Sequence, residues 1–196
     1  MPQQVDHEQR RAEVGEAALR VIARDGVAGA SIRAIAGEAD MSTSWITHYF
    51  DGHDDVVLQA VEQLRHYFES SCAELSDRGP VDQLRALLVA STAGQEQAVA
   101  PRALLHLTAG PVPEATRAEV VALENWCMNQ LEEQITRVVE QGHEGPPDHR
   151  AAAEDLHMLI MGLRVASMGD AAGWPAERIE ASIDRAMGAV LGSRSS

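Results

Sequence analysis

Residues 31–61 read SIRAIAGEADMSTSWITHYFDGHDDVVLQAV, and the reading of this stretch decides the fold. Ser31 precedes Ile32-Arg33-Ala34-Ile35-Ala36, a hydroxyl cap before a short helix. A break follows at Glu38-Ala39-Asp40-Met41, and Ser42 then opens a second short helix that runs through Phe50. Two short helices meeting at a tight turn over Ala39–Met41 have the geometry of a helix-turn-helix. Ile32, Ile35, Ala36, Met41, Ile46 and Phe50 supply its small core, and Ala36 and Ala39 are small enough to let the helices approach. Thr43, Ser44, Trp45, Thr47 and His48 are left on the outer side, a hydrogen-bonding surface suited to groove contacts. The same spacing also fits an ordinary corner of a helical protein.

Working outward, the rest of the chain is also helical in pattern. Val14, Ala18, Val21 and Ile22 recur at helical spacing over residues 8–25, and Gly26 ends that segment. On the other side Asp51-Gly52 breaks the chain. Asp51 is placed to cap a long helix from about His53 to Leu75, with Val57, Val61, Leu64 and Phe68 along one face. Further helices are predicted over Val81–Ala93, Gln95–Ala109, Glu114–Gln141, Asp148–Asp170 and Pro175–Leu191. Gly142–Pro147 is the clearest loop, and no segment alternates as a strand would. The expected architecture is all-α with about nine helices: a three-helix helix-turn-helix domain over residues 1–52 and a helical domain over residues 53–196.

Composition bounds the function. The chain has 196 residues, 45% of them hydrophobic and only 4% aromatic, a mix that favours helices. No run of about 18 apolar residues is present, and the N-terminus lacks a signal-type apolar core, so a soluble, cytoplasmic protein with no membrane partner is expected. Cys72 and Cys127 lie far apart with no CxxC pattern, which excludes a cysteine zinc site. The eight histidines are scattered. Glu154-x-x-His157 is the one Glu-x-x-His pair that lies within a predicted helix, where a di-iron bundle needs two. No GxSxG, phosphate loop or HExxH occurs, so no catalytic residue, metal or cofactor is expected.

Charge opposes a DNA-binding reading. The net charge is −14, and all 16 basic residues are arginine, whereas non-specific DNA affinity comes mainly from cations on phosphates. In residues 1–55 five arginines face ten acids, leaving −5; the remainder holds 11 arginines and 20 acids, leaving −9. This balance is the one feature that favours a helical interaction protein without DNA. A helical-bundle enzyme is the other alternative.

The segment over about residues 10–60 resembles the tetracycline-repressor (TetR) family. The likeness rests on Ala18 to Gly26, Ser31-x-x-x-Ile35-Ala36, Ser42-Thr43-Ser44, His48-Tyr49-Phe50 and the long apolar helix that follows. The run STSWITHYF is most similar to the branch of betaine-pathway, choline-responsive repressors. The resemblance implies a transcriptional repressor that binds a palindromic operator as a dimer and is released by a small, largely apolar effector. It implies that Arg33, Thr43, Ser44, Trp45 and His48 face base edges with Thr47 nearby, and that Ser31, Tyr49 and His53 contact phosphates. Two departures stand out: Thr47 occupies a position where many members have tyrosine, and His53 one where lysine is usual.

The resemblance also implies that the last two helices pair with their copies in a second subunit. Met158, Leu159, Ile160, Met161, Leu163, Val165 and Met168 are apolar on more than one face, Gly162 and Ala166 allow close approach, and Ile179, Ile183, Met187 and Val190 form a stripe. An effector pocket would draw on Tyr67, Phe68, Ser71, Cys72, Leu88, Thr92, Leu105, His106, Trp126, Cys127, Gln130 and His157, any one of which is better suited to plain core. A choline-like effector would need an aromatic cage, for which Tyr67, Phe68 and Trp126 are the residues left over.

Overall fold

The computed structural model describes residues 2–92 and 98–192, with side chains described from residue 7. The described residues form nine α-helices and no strand. They are α1 (Pro2–Asp25), α2 (Ile32–Glu38), α3 (Thr43–Tyr49), α4 (Gly52–Glu74), α5 (Pro80–Ala90), α6 (Val99–Ala109), α7 (Glu114–Glu140), α8 (His149–Gly169) and α9 (Ala176–Leu191). A single 3-10 turn, Val27–Gly29, follows α1. The sixth helix begins at Val99, and residues 95–97 of its expected start lie outside the described residues.

Local chemistry sets the helix ends as expected at two places. Ser31 Oγ accepts from the Ala34 backbone N–H at 3.2 Å, and Ser42 Oγ accepts from that of Trp45 at 3.1 Å. At the start of α4 the observed link runs the other way from a simple Asp51 cap: the Asp51 backbone N–H donates to Asp55 Oδ2 at 3.0 Å.

The chain packs as two compact units. The first combines residues 1–68 with residues 102–123, and the second combines residues 69–101 with residues 124–196. This division by packing cuts α4, α6 and α7. In the first unit Val14, Ala17, Ala18, Val21 and Ile22 of α1 are buried with Ile35, Ile46, Val56, Val57 and Leu64. Gly15 makes the crossing of α1 and α4 close: a Cβ there would sit 2.7 Å from Gln63 Cγ and 3.0 Å from the Gln59 carbonyl. Gly26 has φ 74°, a left-handed turn that glycine adopts freely, and it lets the chain leave α1 beside the His106 ring.

In the second unit Leu84, Leu87 and Leu88 of α5 pack with Leu131 and Ile135 of α7, Leu156, Ile160 and Leu163 of α8, and Ile179, Ile183 and Met187 of α9. The apolar stripe on the last helix is therefore spent on this chain's own core, which corrects its assignment to a subunit contact. The eighth helix does show two apolar faces: Met158 and Val165, opposite the core side, remain 69% and 58% exposed. Arg85 of α5 ties α9 from outside, with Nε 2.6 Å from Asp184 Oδ1 and Nη2 3.0 Å from Glu180 Oε2.

Candidate nucleic-acid interface

The turn between α2 and α3 is closed by backbone bonds, Met41 N–H to the Ala36 carbonyl at 2.9 Å and Ala39 N–H to that of Ile35 at 2.9 Å. Asp40 takes φ 54° there. Buried Ile35, Ala36, Ile46 and Phe50 fix the orientation of α3, and Thr43, Ser44, Thr47 and His48 are exposed on its outer side. Thr47 Oγ1 bonds back to the carbonyls of Thr43 and Ser44 at 3.1 and 3.2 Å. Trp45 is half-buried and lies against the Tyr49 ring at 4.3 Å between centroids, and Tyr49 is also flanked by His48 at 4.8 Å and His7 at 4.9 Å.

The arginines explain how so acidic an end is organised. Arg10 pairs with Glu13 at 3.0 Å. Arg20 and Arg24 both reach Glu38, at 2.8 and 3.0 Å, and hold its carboxyl below the usual carboxylate range. Arg11 is within 3.4 Å of Asp55, donates to Gln59 Oε1 at 3.2 Å and to the Tyr49 carbonyl at 2.5 Å, and stacks on the Phe50 ring at 4.1 Å. Among the described residues Arg33 forms no ion pair, and its side chain is exposed on α2. Ser31 is exposed at the start of that helix. His53 is half-buried, with Nε2 3.0 Å from the Ala30 carbonyl and Nδ1 3.3 Å from Asp54. Both of its ring nitrogens therefore have partners within the chain, a fixing role for which sequence spacing gave no signal.

These helices match a known pattern. Residues 16–60 fit the model of the bacterial regulatory proteins of the tetR family. A transcriptional regulator of Stenotrophomonas maltophilia, BetI, is 30% identical over 169 residues, 83% of each chain. The chain belongs to the TetR family. It is also 34% identical to the regulator PksA of Bacillus subtilis over 89 residues, 45% of this chain; that match spans 43% of the relative, less than half of its length. A TetR-family regulator from Agrobacterium tumefaciens has the same fold, with a TM-score of 0.82 at 22% identity over 95% of this chain and all of that one. Residues 16–60 of this TetR-family chain thus carry the family's helix-turn-helix segment.

The expected effector-pocket residues divide between the two units. Tyr67, Phe68, Leu105 and His106 belong to the first. There Tyr67 is 40% exposed and meets the fully buried Phe68 edge-on at 5.2 Å, Leu105 is buried, and His106 stands against Gly26. Ser71, Cys72, Leu88, Thr92, Trp126, Cys127, Gln130 and His157 belong to the second. Leu88 is part of its core with Cys72 packed against it, and buried Thr92 donates to the Val89 carbonyl at 2.8 Å. His157 lies 3.3 Å from Glu124, beside a buried arginine, Arg164, that the sequence reading passed over. Among the described residues no group of three histidine, cysteine or acidic side chains could hold a metal, and no helix is long and apolar enough to cross a membrane.

Proposed function

We propose that the chain is a cytoplasmic, non-enzymatic repressor that binds a palindromic operator as a homodimer and leaves it when a small effector with a largely apolar body binds the helical domain, residues 53–196. The observation that carries this reading is the exposed row Thr43, Ser44, Thr47 and His48 on α3, with Arg33 exposed on α2 and without an ion pair among the described residues. Arg33 reads a guanine edge through its fork of donors, and the short polar side chains bond neighbouring bases. Trp45 packs on a sugar or thymine methyl, and Ser31 and Tyr49 fix the register on phosphates. His53, held by Ala30, places the start of α4 and adds a phosphate contact only from its exposed edge.

The dimer forms through the outer face of α8, where Met158, Gly162 and Val165 share one helix face and are exposed. A twofold dimer suits a palindromic site, with two recognition helices entering successive major grooves. Gel retardation with the intergenic DNA beside the protein's own gene tests the reading. A specific, dimer-stoichiometric shift that Arg33→Ala weakens is expected. A folded dimer that binds no such site at low salt overturns it.

A further inference from the structure

Within the second unit the most buried charge is Arg164 of α8, 2% exposed. Among the described residues its five N–H groups find one carbonyl, Ser91 O at 2.7 Å from Nε, and one thioether, Met161 Sδ at 3.4 Å from Nη1. Glu124 Oε1 of α7 is 3.8 Å away, outside hydrogen-bond reach. The other carboxylate oxygen lies 3.3 Å from His157 Nε2, and His157 is two turns from Arg164 on the same face of α8. Glu124 and His157 keep 14% and 12% of their side-chain surface, so the cluster is not sealed. A guanidinium buried with so few good acceptors is poorly compensated.

The charges of the cluster favour one class of ligand. Burial holds the His157 imidazole below the ordinary histidine range, against the pull of Glu124 and with a push from Arg164; Cys127 is the other titratable group facing Arg164. With His157 neutral the cluster is Arg⁺ and Glu⁻, net zero. A carboxylate can enter and stay balanced if the imidazole takes up one proton, giving two ion pairs. A cation cannot be balanced, because none of the three groups can release a further proton near neutral pH. A planar carboxylate also matches the guanidinium fork, supplying the acceptors it lacks.

We propose that Arg164 anchors an effector bearing a carboxylate on an apolar body, and that its binding takes up a proton at His157, which Glu124 balances. This rests on the reading of the second unit as the sensor, and it turns the effector class away from choline.

Calorimetric titration of the full-length dimer with butyrate, octanoate and benzoate, and with choline as the cationic control, tests it. The titrations are run at pH 7 in two buffers of different ionisation enthalpy. At least one carboxylate binds, choline does not, and about 0.5–1 proton is taken up per site. His157→Gln weakens that carboxylate about tenfold and removes the uptake. Glu124→Gln, which lets Arg164 face the ligand alone, tightens binding and also removes the uptake, a gain that a pair serving only to join α7 and α8 would not give. Binding by none of the three acids, binding without proton uptake, or binding of choline in their place overturns the proposal. Operator retardation without any acid is scored separately, so that a lost shift counts against the regulator and an intact shift without acid binding counts against the anchor alone.

Discussion

Arg11 Nη1 donates to the Tyr49 backbone carbonyl at 2.5 Å, joining α1 to the last residue of the recognition helix across 38 positions of sequence. The same guanidinium reaches Asp55 and Gln59 of α4, so three helices meet on one side chain. Arg11→Met keeps the stem against Phe50 but removes every donor. The change is expected to cost about 1–2 kcal/mol, the worth of a charged hydrogen bond with little credit for the long, half-buried pair to Asp55. That lowers the thermal midpoint by about 2–8 °C. Operator affinity should fall by more than the stability loss explains, because α3 loses its fixed end. Arg11→Lys should recover only part of both, since an ammonium has no fork. Melting and operator titration of the two variants check this.

Arg33 is the opposite case, an arginine with no ion pair among the described residues. Arg33→Ala should leave the melting curve within about 0.5 kcal/mol of the parent, as surface substitutions do. It should weaken specific operator binding by about 1–3 kcal/mol per half-site and relax the preference at one base pair. Titration against operators varied singly at each position reads both effects. A uniform loss across all positions would place Arg33 on phosphate and away from the bases.

Four of the five arginines in residues 1–55 are held by acids of the same unit. Few cations are left to displace counterions. The slope of log affinity against log salt for the dimer should lie between about −2 and −5, well short of the −10 typical of many phosphate contacts. Operator titrations from 50 to 200 mM salt measure it.

What could be read in advance was whatever short-range chemistry controls. Ser31 and Ser42 cap their helices because a hydroxyl three residues before an amide closes the first turn wherever the chain goes afterwards. The exposed row on α3 follows from helical period alone. The Arg11–Tyr49, His53–Ala30 and Arg164–Glu124 contacts span 38, 23 and 40 positions, and no local period encodes them. They depend on how helices cross, which Gly15 and other close contacts determine in three dimensions. The α9 stripe shows the same limit: Ile179, Ile183 and Met187 look alike whether the partner surface is α8 of the same chain or of another.

Asp40 sits at φ 54° in the turn of the helix-turn-helix. A Cβ disfavours that region, although aspartate tolerates it better than most residues. Asp40→Gly should stabilise the folded chain by about 0.5–1 kcal/mol, the strain relieved less the extra freedom of the unfolded glycine. It also removes a negative charge close to the DNA-facing helices, so operator affinity should rise slightly at low salt. A glycine variant that melts below the parent would show that the aspartate is anchored by more than its backbone.

His106 and His157 are both held below the ordinary histidine range, each mainly by burial, with Arg102 adding to the effect at His106 and Arg164 at His157. The unfolded chain, with ordinary imidazoles near pH 6.5, therefore binds protons that the folded chain resists. Stability linked to these groups is complete above about pH 6.5 and is lost as pH falls below it toward the lowered folded values. The acid flank of a stability-against-pH curve should accordingly begin near pH 6.5, above the range in which carboxylates titrate. His106→Asn and His157→Gln should each flatten part of that flank, and the double variant most of it. At His157 a bound carboxylate reverses the sign: it raises the imidazole's proton affinity, so ligand-induced stabilisation should grow as pH falls from 8 to 6. Thermal midpoints across that range, with and without octanoate, read both slopes in one experiment.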